Sequence, residues 1–406
     1  DMLRPPPSLA RLPIVLLAAS SMLPAAAGAQ PSASADAVAV LPAAAGAAAR
    51  AGATTVFGEG PFDALDQPAL LATRRHLVLE TSWQIDRFVD PAVDPWAVGV
   101  VVPLGDAGAE LPVLTVSHRR LRGEDLALPG ASRLVYDVDH DLTSFGLGWQ
   151  TLGGRLALGA ALHATSKSGV TRFALRTAFG DTSTVPDGQD DLLFSTTVGA
   201  LLRSEPRSVG GGEFTARSGL ALRRWGEDVD VSSGTLPDGN GGQVVLTRRS
   251  ALGATAALGV GADWSAPDVV VRGALDLSWP LHDAASESAT LAAALELTLF
   301  DLLSLRSGVR DDTRGTDLTF GAGLRSPPWR GARVAVDVAR EPARSDLAMA
   351  EDATIVSVGL HFGLGAPPPE DDLDDLFDDL DRLDDWIDEA PASSDSTTTP
   401  APEIGP

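Results

Sequence analysis

Between His76 and Gly365 the chain is cut into segments of about ten residues, with apolar side chains on alternate positions and clusters of Gly, Asp, Pro and Ser between them. A period of two belongs to a strand, because successive side chains leave the backbone on opposite faces. The clearest hairpin runs through Phe145-Gly146-Leu147-Gly148-Trp149, turns at Leu152-Gly153-Gly154 and returns through Leu156 to Leu162, with one face large and apolar and the other small. The same alternation marks Leu192–Leu202, Phe214–Trp225, Val269–Trp279, Leu291–Leu297, Leu318–Leu324, Val334–Val338 and Val356–Leu364, while Gln243–Ser265 fits either one strand or two. The connections are unequal. Leu152–Gly154 is tight, whereas Asp181–Asp190, Arg203–Gly212 and Gly226–Gly242 are long and polar, and tight and long turns at opposite ends characterise transmembrane barrels.

The large apolar face has to be buried. Between two stacked sheets it would need bulky partners at close-packed density. Here aromatic residues make up only 5% of the chain, Gly reaches 41 residues, and the opposite face carries Ala, Gly, Ser and Thr beside Arg and Asp. Such a face suits a lumen, water-filled or plugged, so residues 76–365 are read as an all-β, antiparallel transmembrane β-barrel with its apolar face toward outer-membrane lipid. With a single Tyr, the eight Trp and twelve Phe must mark the membrane interfaces. A soluble secreted β-protein is the rival fold.

The ends differ in texture. Arg4 and Arg11 precede the apolar run Leu12–Leu23, and Ala27-Gly28-Ala29 supplies a small-x-small cleavage pattern, so residues 1–29 read as a secretory signal peptide. No later apolar run has the length of a membrane-spanning helix. Residues 30–53 are rich in Ala, Ser and Gly without periodicity and read as a disordered linker. After Pro367-Pro368-Pro369, residues 366–390 form a proline hinge and a short acidic C-terminal helix. In it Leu373, Leu376, Leu380, Leu383 and Ile387 fall on one stripe, widened by Phe377 and Trp386. Almost every other position there is Asp, which favours docking onto a periplasmic partner protein over an isolated helix. Residues 391–406 read as a disordered tail.

Charge and chemistry mostly exclude. With 31 Lys+Arg against 55 Asp+Glu the formal charge is -24, so no nucleic-acid partner is expected. Cysteine is absent, which removes disulfides, thiol nucleophiles and Cys-zinc sites. His76, His118, His140, His163, His282 and His361 show no metal-ligand spacing, and Asp137-x-Asp139-x-Asp141 lacks a calcium loop's Gly and Glu, having Leu142 and Gly148 there. No metal, cofactor or catalytic residue is nominated, and a non-enzyme is expected.

Two stretches carry resemblances. Ser357-Val358-Gly359-Leu360-His361-Phe362-Gly363-Leu364 resembles the polar-x-Gly-x-x-aromatic-x-apolar signal read by the barrel-assembly machinery, with Ser357, Gly359, Phe362 and Leu364 at its fixed positions, although the chain continues beyond it. Leu295–Val309 and Leu318–Leu324 resemble late strands of PorV/PorQ-type barrels in the FadL-like superfamily. Gly58–Ala72 is similar to that group's N-terminal hatch, with Phe62 in it and Gln67-Pro68-Ala69 where Asn-Pro-Ala is usual. Residues 54–75 are therefore read as a hatch or a linker. The resemblance implies about fourteen strands, a segment tucked into the lumen, and a channel or transporter for small, hydrophobic solutes in the bacterial outer membrane, with the tail periplasmic. The alternative is a non-enzymatic scaffold recruiting a periplasmic or secreted partner through the acidic helix.

Overall fold

The computed structural model describes residues 42–85, 93–104, 111–127, 135–167, 171–176, 182–187, 191–226, 228–237, 243–251, 254–281, 289–312, 315–342 and 352–363. The expected signal peptide, linker residues 30–41, Leu364 and the whole acidic tail lie outside them.

Among the described residues nineteen strands form. In chain order they are β1 (His76–Ile85), β2 (Val93–Pro103), β3 (Val113–Ala127), β4 (Val135–Thr151), β5 (Leu156–Lys167), β6 (Thr171–Arg176), β7 (Thr182–Asp187), β8 (Asp191–Arg203), β9 (Arg207–Val209) and β10 (Gly212–Gly226). There follow β11 (Asp228–Pro237), β12 (Gln243–Ala251), β13 (Thr255–Ala266), β14 (Val269–Pro280), β15 (Thr290–Leu299), β16 (Leu303–Asp312), β17 (Gly315–Arg325), β18 (Ala332–Glu341) and β19 (Ala353–Gly363). Fourteen of them, all but β6, β7, β9, β11 and β12, close into one antiparallel barrel. Closure is explicit in the register: β1 pairs with β19 from His76↔Gly363 to Ile85↔Thr354, and β10 pairs with β13 from Glu213↔Ser265 to Arg223↔Thr255. Gln243–Ser265 therefore holds two strands, and only the second is in the wall.

The two ends of the barrel differ as expected, with one reassignment. At one end the strands are joined by tight turns: Leu152-Gly153-Gly154, the pair Phe300-Asp301 and the pair Arg330-Gly331 all take positive φ, the backbone a hairpin turn needs to follow strand twist. The connection from Arg203 to Gly212, expected on the long-loop side, sits at this tight-turn end, where β9 folds back on β10 through Gly210 and Gly211. The two longest insertions, with the hairpins β6–β7 and β11–β12, leave from the other end.

Outside, the alternation is direct. Strand β15 presents Leu291, Leu295, Leu297 and Leu299 outward and buries Ala292, Glu296 and Thr298 inside. Large apolar residues such as Leu220, Leu258, Leu295, Leu318 and Leu324 are solvent-exposed on the outer wall. A contiguous belt of this kind has no place on a soluble monomer and matches a hydrocarbon-facing surface. Aromatics bracket it: Trp149, Phe214, Phe300, Trp329 and Phe362 near the tight-turn end, and Trp83, Trp96, Phe194 and Trp225 near the long-loop end. Phe214 and Trp225 stand at the two ends of β10, which for a strand tilted by about 40° separates them by roughly 25–30 Å, the height of a hydrocarbon core. Trp and Phe thus do the marking that Tyr does not.

Because Leu295 lies mid-strand in this belt, Leu295→Arg places a guanidinium in hydrocarbon and should lower folding stability in lipid by about 2–4 kcal/mol. Urea titration in vesicles, followed by tryptophan fluorescence, measures the loss.

Candidate functional site

The lumen is filled by the chain's own N-terminal segment. Residues 42–53, expected as linker, instead pack inside the barrel: Ala45, Ala48, Ala49, Ala51 and Ala53 are all buried. Their small side chains explain it. A run of Ala has the best helix propensity and adds least width, so a short helix α1 (Ala45–Ala49) fits beside the wall. The wall also satisfies the helix ends that a short helix leaves unpaired: the Ala45 N–H donates to Ser357 Oγ at 2.9 Å, and Thr319 Oγ1 donates to the Ala49 carbonyl at 2.9 Å. Positive φ at Ala51 and Gly52 ends the helix. The chain then crosses the lumen, forms a single helical turn α2 (Asp63–Asp66) and a 3-10 turn over Pro68–Thr73, and enters β1.

The small inner face is the seat of this plug. Cβ atoms built on Gly308 or Gly219 would come within 2.5 Å of the Arg50 carbonyl carbon or the Thr55 oxygen, and one on Gly321 within 2.7 Å of Ala49 Cβ. Gly159 touches the backbone of Pro68 and Ala69, and Gly148 that of Ala72. Gly148, Gly159 and Gly199 are register partners across β4, β5 and β8, so one row of the wall is shaved to backbone where the plug passes.

Of the hatch residues nominated by sequence, all four are in the plug and buried: Phe62, Gln67, Pro68 and Ala69. Gln67 is fully buried. Its Nε2 lies 3.2 Å from the Thr55 carbonyl, 3.3 Å from that of Ala200 and 3.2 Å from that of Leu220, joining two parts of the plug to strands β8 and β10. Nearby, Arg223 donates to the Asp66 carbonyl and to Thr55 Oγ1, and the Thr55 N–H donates to Asp276 Oδ2 at 2.7 Å. His163 bridges Ser144 and Thr197, each at 2.8 Å, and Thr197 Oγ1 donates to the Leu65 carbonyl. On β19, Ser357 and Gly359 are buried on the inner face, whereas Phe362 faces out. Asp137, Asp139 and Asp141 lie along strand β4 and not in a loop.

The residues sequence reasoning missed are charged. Glu59 of the plug meets Arg272 at 2.8 Å, Arg325 at 2.8 Å and Arg306 at 3.1 Å, while Arg50 of the plug reaches Glu296 at 3.1 Å. Glu296 also accepts from Arg272 at 2.8 Å and Arg306 at 3.1 Å, and Arg306 closes the network on Asp337. Burial pushes the Glu59 carboxyl up, but Arg325, Arg306, Arg272 and Arg50 outweigh it and hold Glu59 well below the usual carboxylate range. In contrast, burial raises Asp63, and its partner Arg74 at 2.9 Å only partly offsets this. For the wall members the signal in the sequence was a charge at an inward position of an alternating strand, as in Leu295-Glu296-Leu297 and Leu305-Arg306-Ser307.

The plug is thus held in two ways. Toward β14–β18 it is tied by ions, beside small apolar contacts of Ala45, Ala48 and Ala49 with Ala339 and of Val56 and Phe57 with the cluster that holds Ala274 and Ala292. Toward β1–β8 it rests on hydrocarbon and on neutral hydrogen bonds: Leu70 and Ala69 pack with Ala157 and Leu201, and Leu71 and Ala64 with Val78, Val101, Val113 and Ala161, while Thr115, Gln67 and Thr197 bond across the seam.

A closed, plugged transmembrane barrel is the class this geometry defines. No protein-family model matches the sequence, and no curated protein matches it. Among solved structures, the chain is similar to the CymD monoaromatic hydrocarbon channel (TM-score 0.51, 11% identity, covering 80% of this chain and 99% of that one). It is also similar to a FadL homologue from Pseudomonas aeruginosa (TM-score 0.50, 11% identity, covering 83% and 100%). The chain shares the fold of these two barrels.

Removing one partner from a buried ion network strands the others. Glu59→Gln leaves Arg272, Arg306 and Arg325 short of a carboxylate and should cost about 3–5 kcal/mol, read as a lower thermal midpoint and faster proteolysis of the plug. Since the folded carboxyl lies below its unfolded value, its contribution is fully present above about pH 4.3 and is lost as pH falls through the folded value. Plug protection should therefore hold from pH 5 to 8 and fail only in stronger acid, and Glu59→Gln should flatten that acid transition.

Proposed function

We propose that the chain is a non-enzymatic channel of the bacterial outer membrane that passes small hydrophobic molecules. The observation that carries this reading is the asymmetric seating of the plug. A crevice opened on the β1–β8 side would be lined by Leu65, Leu70, Leu71, Val101 and Val113 with the neutral polar groups of Thr115, His163 and Thr197 among them, a path that favours small apolar molecules over ions. The ionic side would meanwhile keep the segment in the barrel. Two structures of this fold are named as a monoaromatic hydrocarbon channel and a FadL homologue, which supports the same solute class. Within FadL-like barrels we place the chain with the PorV/PorQ type, on the resemblance carried by Leu295–Val309 and Leu318–Leu324, now strands β15 to β17. In this reading the tight turns and the acidic tail are periplasmic and the long insertions extracellular, and β19 carries the signal for the barrel-assembly machinery.

Small aromatics cross phospholipid freely but are slowed by a lipopolysaccharide leaflet, so the test belongs in cells. Cells with the inserted barrel should take up a radiolabelled monoaromatic hydrocarbon several-fold faster than cells without it. Equal uptake, with the barrel inserted, would overturn the channel.

A second reading rests on the apolar stripe Leu373, Leu376, Leu380, Leu383 and Ile387: recruitment of a periplasmic protein. Deleting residues 371–406 should then abolish co-purification of a partner and leave hydrocarbon uptake unchanged; an unchanged set of co-purifying proteins contradicts it.

A further inference from the structure

Among the described side chains, outward-facing charges cluster at one place on the outer wall. Strand β3 starts with Leu114 and Val116 facing out, and the next outward positions are His118, Arg120 and Arg122, with Arg122 exposed. On β4 the outward series Trp149, Leu147 and Phe145 gives way to Thr143 and Asp141. Elsewhere on the barrel strands, among side chains that are described, outward-facing charges stand singly: Asp311 on β16, and Arg340 on β18, which pairs with Asp352.

Register sets this patch beside the girdle tryptophans. Trp83 is opposite Trp96, Trp96 is opposite Arg120, and Arg120 is opposite Asp141, so the cations start in the row of the girdle tryptophans. The Trp96 and His118 rings lie 5.3 Å apart. His118 and Arg120 share Asp141 at 3.5 Å and 3.7 Å, and the register sets Asp94 and Asp139 opposite Arg122. A tryptophan girdle marks the boundary between hydrocarbon and headgroups, so a column of cations in that row and beyond it is set in the headgroup layer.

We propose that this face of β2–β4 binds the phosphate groups of an anionic lipid in the leaflet nearest the long loops. Arg120 and Arg122, on alternate positions of one strand, present two guanidinium forks that suit phosphate oxygens, and Trp96 packs the lipid's apolar shoulder. The Asp141 carboxylate keeps the patch from being a bare cationic surface and gives a divalent cation a place beside phosphate. In a chain of formal charge -24, such a site recruits phosphate by position and not by net charge.

The proposal rests on the membrane reading above. Heat-modifiable gel migration of every variant reports barrel folding separately from lipid binding, so the two can fail apart. The probe is diphosphoryl lipid A added to the delipidated full chain in detergent, read by native mass spectrometry. Wild type and Arg340→Gln should carry the adduct equally. Arg120→Gln with Arg122→Gln should weaken it about tenfold or more, and the corresponding double Lys variant should restore most of it. Undiminished binding by the folded double Gln variant overturns the site. So does complete displacement of lipid A by inorganic phosphate at equal concentration, which would make it a site for the free anion.

Discussion

A strand in hydrocarbon has no water to satisfy its N–H and C=O groups, and an isolated unpaired edge there costs several kcal/mol for each group. The pairing of β1 with β19 removes that edge, and the rest of the molecule follows from closure. A closed barrel turns one set of alternate side chains toward lipid, which accounts for the outward Leu, Val, Phe and Trp. It turns the other set toward a lumen that must hold water or protein. In this chain it holds protein, and the inner set is correspondingly small.

That inner set is not uniform, and its asymmetry links the fold to function. Between β14 and β18 the wall contributes Arg272, Glu296, Arg306, Arg325 and Asp337, which meet Arg50 and Glu59 of the plug in a buried network. Such networks add little net stability but punish the loss of any one partner, so they fix geometry. Across the lumen apolar packing of Leu70 and Leu71 on Ala and Val is joined by neutral hydrogen bonds, from Gln67 to the Ala200 carbonyl and from Thr197 to the Leu65 carbonyl. The apolar contacts are non-directional and can be remade after sliding, whereas the ionic ones cannot. A tethered segment with one greasy, separable face is the physical content of the proposed channel.

Much of the barrel was legible because lipid imposes a strict period. The strand at Leu291–Leu297, the hairpin about Leu152–Gly154 and the small-against-large faces follow from alternation alone. The Arg203–Gly212 connection misled, since its length and polarity resemble an external loop although β9 folds it back at the tight-turn end. The Ala-rich residues 42–53 were read as linker because they have no amphipathic pattern. They need none, since wall and plug together bury Ala43, Ala45, Ala48, Ala49, Ala51 and Ala53. Gln67 was nominated from its Pro-Ala neighbours, but that it spans carbonyls of Thr55, Ala200 and Leu220 depends on contacts between residues far apart in sequence. The same holds for Glu59: a lone carboxylate in Phe57-Gly58-Glu59-Gly60 gives no hint of three arginines from three strands.

The central claim is that one face of each wall strand meets hydrocarbon while the other is covered by the plug. Spin labels placed singly at residues 291 to 299 of β15 test it most directly, through their collision rates with oxygen and with a water-soluble nickel chelate. At 291, 293, 295, 297 and 299 the account predicts high oxygen and low nickel accessibility, and at 292, 294, 296 and 298 low accessibility to both. Accessibility without this period of two, or high nickel accessibility at the inward positions, would contradict it.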